Sequence, residues 1–184
     1  MNNLLLFNKP YGVISQFSPS GDKSTLAKYI KEKKFYPAGR LDHDSEGLLL
    51  LTNNGQLQAR IAEPRFKLEK TYLVQVDGDV SDSALKALRK GVELKDGKTQ
   101  AAKVRKIEDP NLPARIPPVR FRASIPTSWI EISITEGKNR IVRRMTAAVG
   151  FPTLRLYRSQ IGPWKVEDIK AGDYIGMQVN LPKG

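Results

Sequence analysis

Cysteine is absent from this 184-residue chain, and histidine occurs once, at His43. The first absence excludes a disulfide scaffold, a thiolate metal site and a cysteine nucleophile, and it fits a reducing compartment. No apolar run approaches the roughly 20 residues of a membrane span, and Leu4 to Phe7 is far too short for a secretory signal. Repeats and low-complexity tracts are missing as well. A soluble, cytoplasmic protein with no membrane association is the plain expectation. The length suits one compact domain spanning 1–184, burying roughly 70% of its unfolded surface, and is short for two. Acidic residues are also scarce: 31 Lys and Arg face 19 Asp and Glu, a net charge of +12. Such a surplus favours a polyanionic partner, nucleic acid or an acidic membrane surface, without choosing between them. Most of it sits between Lys103 and Arg158, where twelve basic residues face only Glu108, Asp109, Glu131 and Glu136. Charge by itself allows a solvated face there equally well.

Short strands and helices alternate along the chain. Leu4 to Asn8 reads as an apolar strand ending in Lys9-Pro10-Tyr11-Gly12, and Thr25 to Lys34 as a short helix capped by Ser24 or Thr25. Leu48 to Thr52 has the length and turn signal of a buried strand, Gln56 to Ala62 reads as a helix stopped by Pro64, and Thr71 to Val76 alternates as a strand. Ser81-Asp82-Ser83 opens a helix with Leu85 and Leu88 on its apolar side and Gly91 as its stop. Asp96-Gly97 marks a hairpin ahead of a polar strand over Thr99 to Ile107. In Trp129 to Thr135 the regular face is Ile130, Ile132 and Ile134, and Asn139 is placed to cap a helix from Arg140 to Val149 with Gly150 beyond it. Five prolines mark Asp109 to Thr127 as a long irregular connection carrying Arg115, Arg120 and Arg122. Without regular βαβ spacing, the expected class is α+β, with a central mixed, largely antiparallel sheet flanked by helices and loops.

The most informative stretch is Gly39 to Gly55, GRLDHDSEGLLLLTNNG, which sets Asp42 between Leu41 and a glycine-bounded apolar run. A carboxylate at such a junction stands at the rim of a core, and in a desolvated pocket it needs a cation to stay ionised. Arginines 140, 143 and 144 could supply one. On a helical wheel Ile141, Val142, Met145 and Val149 share a face and Arg143 points away from it, so wheel position alone favours solvent for Arg143.

Taken in order, FNKPYGV from Phe7, GRLD with its GLLLLTN run, KTY at Lys70 to Tyr72, EGKNR and VRRM around Arg143, then Gly150, Arg158 and Ile161-Gly162-Pro163, resemble the RNA pseudouridine synthases, in particular their ribosomal RNA branch. The resemblance covers nearly the whole chain, and GRLD with its apolar run is its most specific element. It implies that Asp42 is the catalytic carboxylate of uridine isomerisation, that Tyr72 lies against the target base and that Arg143 pairs with Asp42. It further implies RNA contacts from Arg40, Arg140, Arg144 and Arg158, large-subunit ribosomal RNA as substrate, a flipped nucleotide, no cofactor and no metal. Arg120 and Arg122 on the proline-rich connection are expected to meet phosphates, and a monomer is the default expectation. Two departures stand out. Ile141 occupies a position usually held by glutamine, and the small N-terminal RNA-binding module of the ribosomal S4 type that many relatives carry is not expected in this chain.

Rival readings come from the same residues. Asp42, His43, Asp44 and Glu46 could suggest a metal-dependent nuclease, with carboxylates holding Mg²⁺ at phosphate. Basic residues interleaved with Tyr11, Phe35, Tyr36, Phe121 and Trp129 could suggest an RNA-binding module without catalysis. Loss of the Asp42 carboxylate separates isomerisation from the binder, which would barely register it, whereas a nuclease would need divalent metal and leave shorter RNA.

Overall fold

A computed structural model describes residues 1–120 and 122–181; Phe121 lies outside the described residues. Contacts gather the chain into two compact units, one formed by Met1–Leu68 with the chain from Arg158 on, the other by Glu69–Tyr157.

In the first unit, β1 (Leu4–Lys9) and β5 (Glu46–Thr52) are buried along their whole lengths, as near-continuous apolar runs demand. They pair antiparallel, with Phe7 opposite Leu49 and Lys9 opposite Gly47. Between them come β2 (Val13–Ile14), which pairs in parallel with β3 (Ser24–Thr25), and β4 (Tyr36–Pro37), which lies along β5. Helix α1 (Gly55–Ala62) starts where the Asn54 side chain accepts from the Leu57 amide at 3.0 Å and ends just before Pro64. Leu5, Phe7, Val13, Leu41, Leu49 and Leu51 meet in this unit's core.

The second unit contains β6 (Lys70–Asp77), α2 (Asp82–Lys90), the hairpin β7 (Glu93–Leu94) and β8 (Gly97–Lys98), β9 (Lys103–Ile107), β10 (Thr127–Ile134) and α3 (Ile141–Ala148). β10 runs antiparallel between β6 and β9. Ile130, Ile132 and Ile134 are buried, as their alternation predicts, and pack with Val74, Val76 and the apolar side of α2. β11 (Thr153–Ile161) begins in this unit and ends in the first, where β12 (Trp164–Lys165) and β13 (Tyr174–Met177) follow, β13 antiparallel to β1. The class is α+β, with mixed and largely antiparallel pairing and three α-helices among the described residues. No helix among the described residues is long and apolar enough to cross a membrane.

Three elements differ from their sequence readings. The helix expected over Thr25 to Lys34 shrinks to a single 3₁₀ turn at Leu26–Lys28, because Ser24 and Thr25 are extended against β2 and the Leu26 amide is committed to the Gln16 carbonyl. The strand expected from Thr99 begins only at Lys103. Thr99 instead closes the hairpin, its amide donating to the Val92 carbonyl and its hydroxyl accepting from the Val92 amide, both at 2.9 Å. The third helix is not capped by Asn139: Arg140 takes a left-handed conformation (φ 52°) and the helix starts at Ile141. The connection from Asp109 to Pro126 is irregular as expected among its described residues, and is tied down by Arg115 Nε to the Pro117 carbonyl and Arg155 Nη2 to the Pro113 carbonyl, each at 2.8 Å.

Gly47, the second residue of β5, is required by its surroundings. Its φ of 107° is open to few L-residues, and a Cβ there would overlap the Arg158 backbone. Gly47→Ala is therefore expected to lower unfolding free energy by about 2–4 kcal/mol, through strain and steric overlap together. Denaturant unfolding of the two proteins checks this, and a difference below about 0.5 kcal/mol would refute the close approach.

Candidate active site

Asp42 sits half-buried on the loop between β4 and β5, and that loop is fixed through its backbone. Four consecutive carbonyls are occupied. The Arg40 carbonyl accepts from Arg158 Nη1 at 3.4 Å, and the Leu41 carbonyl from Ser15 Oγ at 2.6 Å. The Asp42 carbonyl accepts from the Ser45 amide at 3.0 Å, and the His43 carbonyl from the Gly12 amide at 2.6 Å. Ser15 grips Leu41 twice, since its oxygen also accepts from the Leu41 amide at 3.2 Å. Leu41 itself is 5% exposed and anchored in the core. A carboxylate one residue from such an anchor has little freedom to wander, which is the condition for a preorganised reacting group.

Lys9 lies beneath this loop with 0% exposure. Its Nζ donates to the Pro10 and Val13 carbonyls at 2.9 Å and, more weakly, to the His43 carbonyl at 3.5 Å. Burial pulls its pKa from 10.5 down to about 7; Glu46 opposes the fall, Arg158 adds to it, and Asp44 and Asp42 oppose it. Glu46 is buried as well, at 8% exposure. Asp42, Asp44 and Glu46 do not assemble a metal-binding cluster: no group of three His, Asp or Glu residues suited to a metal occurs among the described residues. His43 is exposed.

Arg158 is placed differently from its sequence reading as an RNA contact. It is 4% exposed, and its Nε donates to the Leu48 carbonyl at 2.8 Å. Together with the bond to the Arg40 carbonyl, this makes it an internal brace between the loop and β5. Arg40 is exposed. Neither Lys9, Ser15 nor Arg158 was singled out as a support for the loop. The available signal was a lysine ending the strand LLLFNK, where apolar neighbours force its amine to find carbonyls inside.

The remaining candidates belong to the second unit. Tyr72 lies on β6 opposite Ile132, 7% exposed, and is part of the unit's core. Helix α3 buries Ile141, Val142 and Met145, leaving Arg143 half-buried with its Nε out of contact with solvent. Asp96, Asn139, Arg140, Arg143, Arg144 and Ala147 line an open groove of about 450 Å³. Arg144 is committed within it: Nη1 donates to Asp96 Oδ1 at 2.8 Å and Nε to the Asn139 carbonyl at 3.0 Å. That hydrogen bond holds the Asp96 carboxyl below its usual range. Arg140 and Arg120 are exposed, and Arg122 pairs with Asp77 at 3.1 Å while keeping 72% of its side chain in solvent. Of the aromatics considered for RNA binding, Phe35 and Trp129 are buried and Tyr36 is exposed.

The buried lysine has a measurable signature. Between its folded value of about 7 and 10.5, the unfolded chain holds the Lys9 proton more tightly. Stability should therefore rise with pH across that window, by at most about 1.4 kcal/mol per pH unit from this group. Below pH 7 the cost of the buried charge is fully present. Urea unfolding between pH 7 and 9.5 should show wild type gaining on Lys9→Met; parallel curves would mean that the lysine keeps its proton throughout.

Comparison with known proteins adds lineage to this geometry. A family model described as RNA pseudouridylate synthase matches residues 3–148. The chain is 52% identical over 179 residues to ribosomal large subunit pseudouridine synthase E of Vibrio vulnificus, covering 97% of this chain and 76% of that one. It is 55% identical over 174 residues to the protein of the same name in Xanthomonas campestris pv. campestris, covering 93% of each. Among solved structures, a crystal structure of pseudouridylate synthase superposes with a TM-score of 0.79 at 29% identity, covering 97% of this chain and 71% of that one.

Proposed function

Because this chain belongs to the RNA pseudouridylate synthase family, we propose that it isomerises a uridine of large-subunit ribosomal RNA to pseudouridine, with the Asp42 carboxylate as the reacting group. The substrate class is supported by the names of relatives more than half identical over nearly the whole chain. The observation that carries the assignment to Asp42 is the clamp on its loop, in which the carbonyls of residues 40 to 43 are each hydrogen-bonded in place.

The reaction breaks the bond from uracil N1 to ribose C1′, turns the base and joins C5 to C1′. The C5 proton departs and N1 gains one, so composition is unchanged. A single carboxylate can serve by adding to C1′ or to the uracil ring, or by stabilising charge as the glycosidic bond opens. The target lies within an RNA chain, so it must leave its stack first, at a cost of a few kcal/mol. Family motifs assign Tyr72 to the uracil face and Arg143 to the counter-charge of the carboxylate. The exposed arginines 40, 120, 122 and 140 are suited to phosphates, whereas Arg144 would have to exchange Asp96 for one. In this reading the protein works in the cytoplasm as a monomer and uses no cofactor.

Incubation with protein-free large-subunit ribosomal RNA, followed by mapping of pseudouridine, tests the proposal. One new pseudouridine is expected with wild type and none with Asp42→Asn, whose RNA affinity should stay within about twofold; turnover by that variant would rule Asp42 out. Arg143→Ala and Tyr72→Phe, run in the same assay, should lose turnover if they carry their assigned roles. Arg120→Gln should weaken binding and flatten its log–log salt dependence by about one unit, and an unchanged slope would remove Arg120 from the RNA contacts.

A further inference from the structure

Phe66 and Tyr36 are the exposed aromatic rings among the described residues, 41% and 59% accessible. Tyr36 meets Phe17 edge-on, whereas Phe66 is flanked by cations. The Arg65 guanidinium carbon lies 4.6 Å from the Phe66 ring centroid and that of Arg60 lies 5.8 Å away. Resting on the RNA reading above, we propose that Phe66, Arg60 and Arg65 form a ledge on which an unpaired base of the RNA substrate stacks.

The local backbone sets where this ledge stands on the surface. Helix α1 ends at Ala62, and Pro64 opens a 3₁₀ turn over Pro64–Phe66 that closes with the Phe66 amide on the Glu63 carbonyl at 3.2 Å and the Lys67 amide on the Pro64 carbonyl at 3.0 Å. Glu63 also accepts from Arg65 Nε at 2.6 Å, which fixes the guanidinium beside the ring. A ring and a guanidinium ordered in advance offer stacking area at little entropic cost.

The chemistry selects the occupant. Arg60 and Arg65 flank the ring and Lys67 follows it in the chain, three positive charges against the single carboxylate of Glu63, and all four are exposed. An apolar protein face or a lipid tail would have to strip water from those cations without compensation. An RNA strand supplies both needs at once, a base for the ring and phosphates for the cations. Stacking on an aromatic ring is worth roughly a tenfold change in affinity or more and tolerates any base.

The test compares wild type with Phe66→Leu, which keeps apolar bulk, and Phe66→Tyr, which restores a ring. Affinity for protein-free large-subunit ribosomal RNA is measured over a salt series, alongside kcat and KM for pseudouridine formation. Phe66→Leu should bind about tenfold more weakly, raise KM in step, leave kcat and the salt slope unchanged, and be rescued by Phe66→Tyr. Binding by Phe66→Leu within about twofold of wild type would overturn the ledge. So would a loss that Phe66→Tyr fails to recover while both variants melt like wild type. Should Phe66→Leu fail to fold, Arg65→Gln takes its place, with weaker binding expected and unchanged binding overturning the ledge. A wild type that binds RNA but forms no pseudouridine would defeat the catalytic reading and leave the ledge to be judged by affinity alone. A wild type without RNA affinity would defeat both.

Discussion

The hydrogen bonds that occupy the carbonyls of residues 40 to 43 set the terms for everything else in the first unit. A loop normally keeps its backbone groups in water and its conformational freedom with them. Here the donors come from a turn after β1, from β2's neighbour Ser15, from within the loop and from β11, so several distant segments converge on four peptide groups. On the proposed reading of Asp42, conformational entropy surrendered by the loop during folding need not be surrendered again on binding RNA. That is the physical meaning of preorganisation, and it explains why a half-buried carboxylate stands next to a fully anchored leucine.

The clamp has an electrostatic cost. Lys9 and Arg158 are basic side chains buried in the same unit, and burial lowers the Lys9 pKa to about 7. Backbone carbonyls and the buried Glu46 oppose the desolvation of Lys9 without cancelling it. Net charge read from composition mixes such internal braces with the arginines that do face solvent. Arg40, Arg120, Arg122 and Arg140 belong to the second kind, and Arg144 stands between the two because Asp96 already holds it.

Much of the fold was legible because it rests on local rules. The apolar runs of β1 and β5, the alternation of β10, the Ser81 cap and the Asp96-Gly97 hairpin each carry their signal within a few residues. Elements that differed did so where backbone pairing or geometry outside the periodic pattern intervened. Thr25 was drawn into pairing with β2, Thr99 into closing the hairpin, and Arg140 into a left-handed turn ahead of α3. Propensity and periodicity contain no information about such competitors.

The sequence by itself determined the family, the α+β class and the identity of Asp42 as the residue to explain, because ordered motifs and burial patterns are properties of neighbouring residues. Only the tertiary structure decided how that residue is supported. Ser15, Lys9 and Arg158 reach its loop from 26, 34 and 118 positions away in the chain for their longest bonds to residues 40 to 43. Hydrogen bonds over such separations leave no periodic trace. Whether a basic side chain meets solvent or a buried carbonyl is settled by where the chain folds back, and not by its charge.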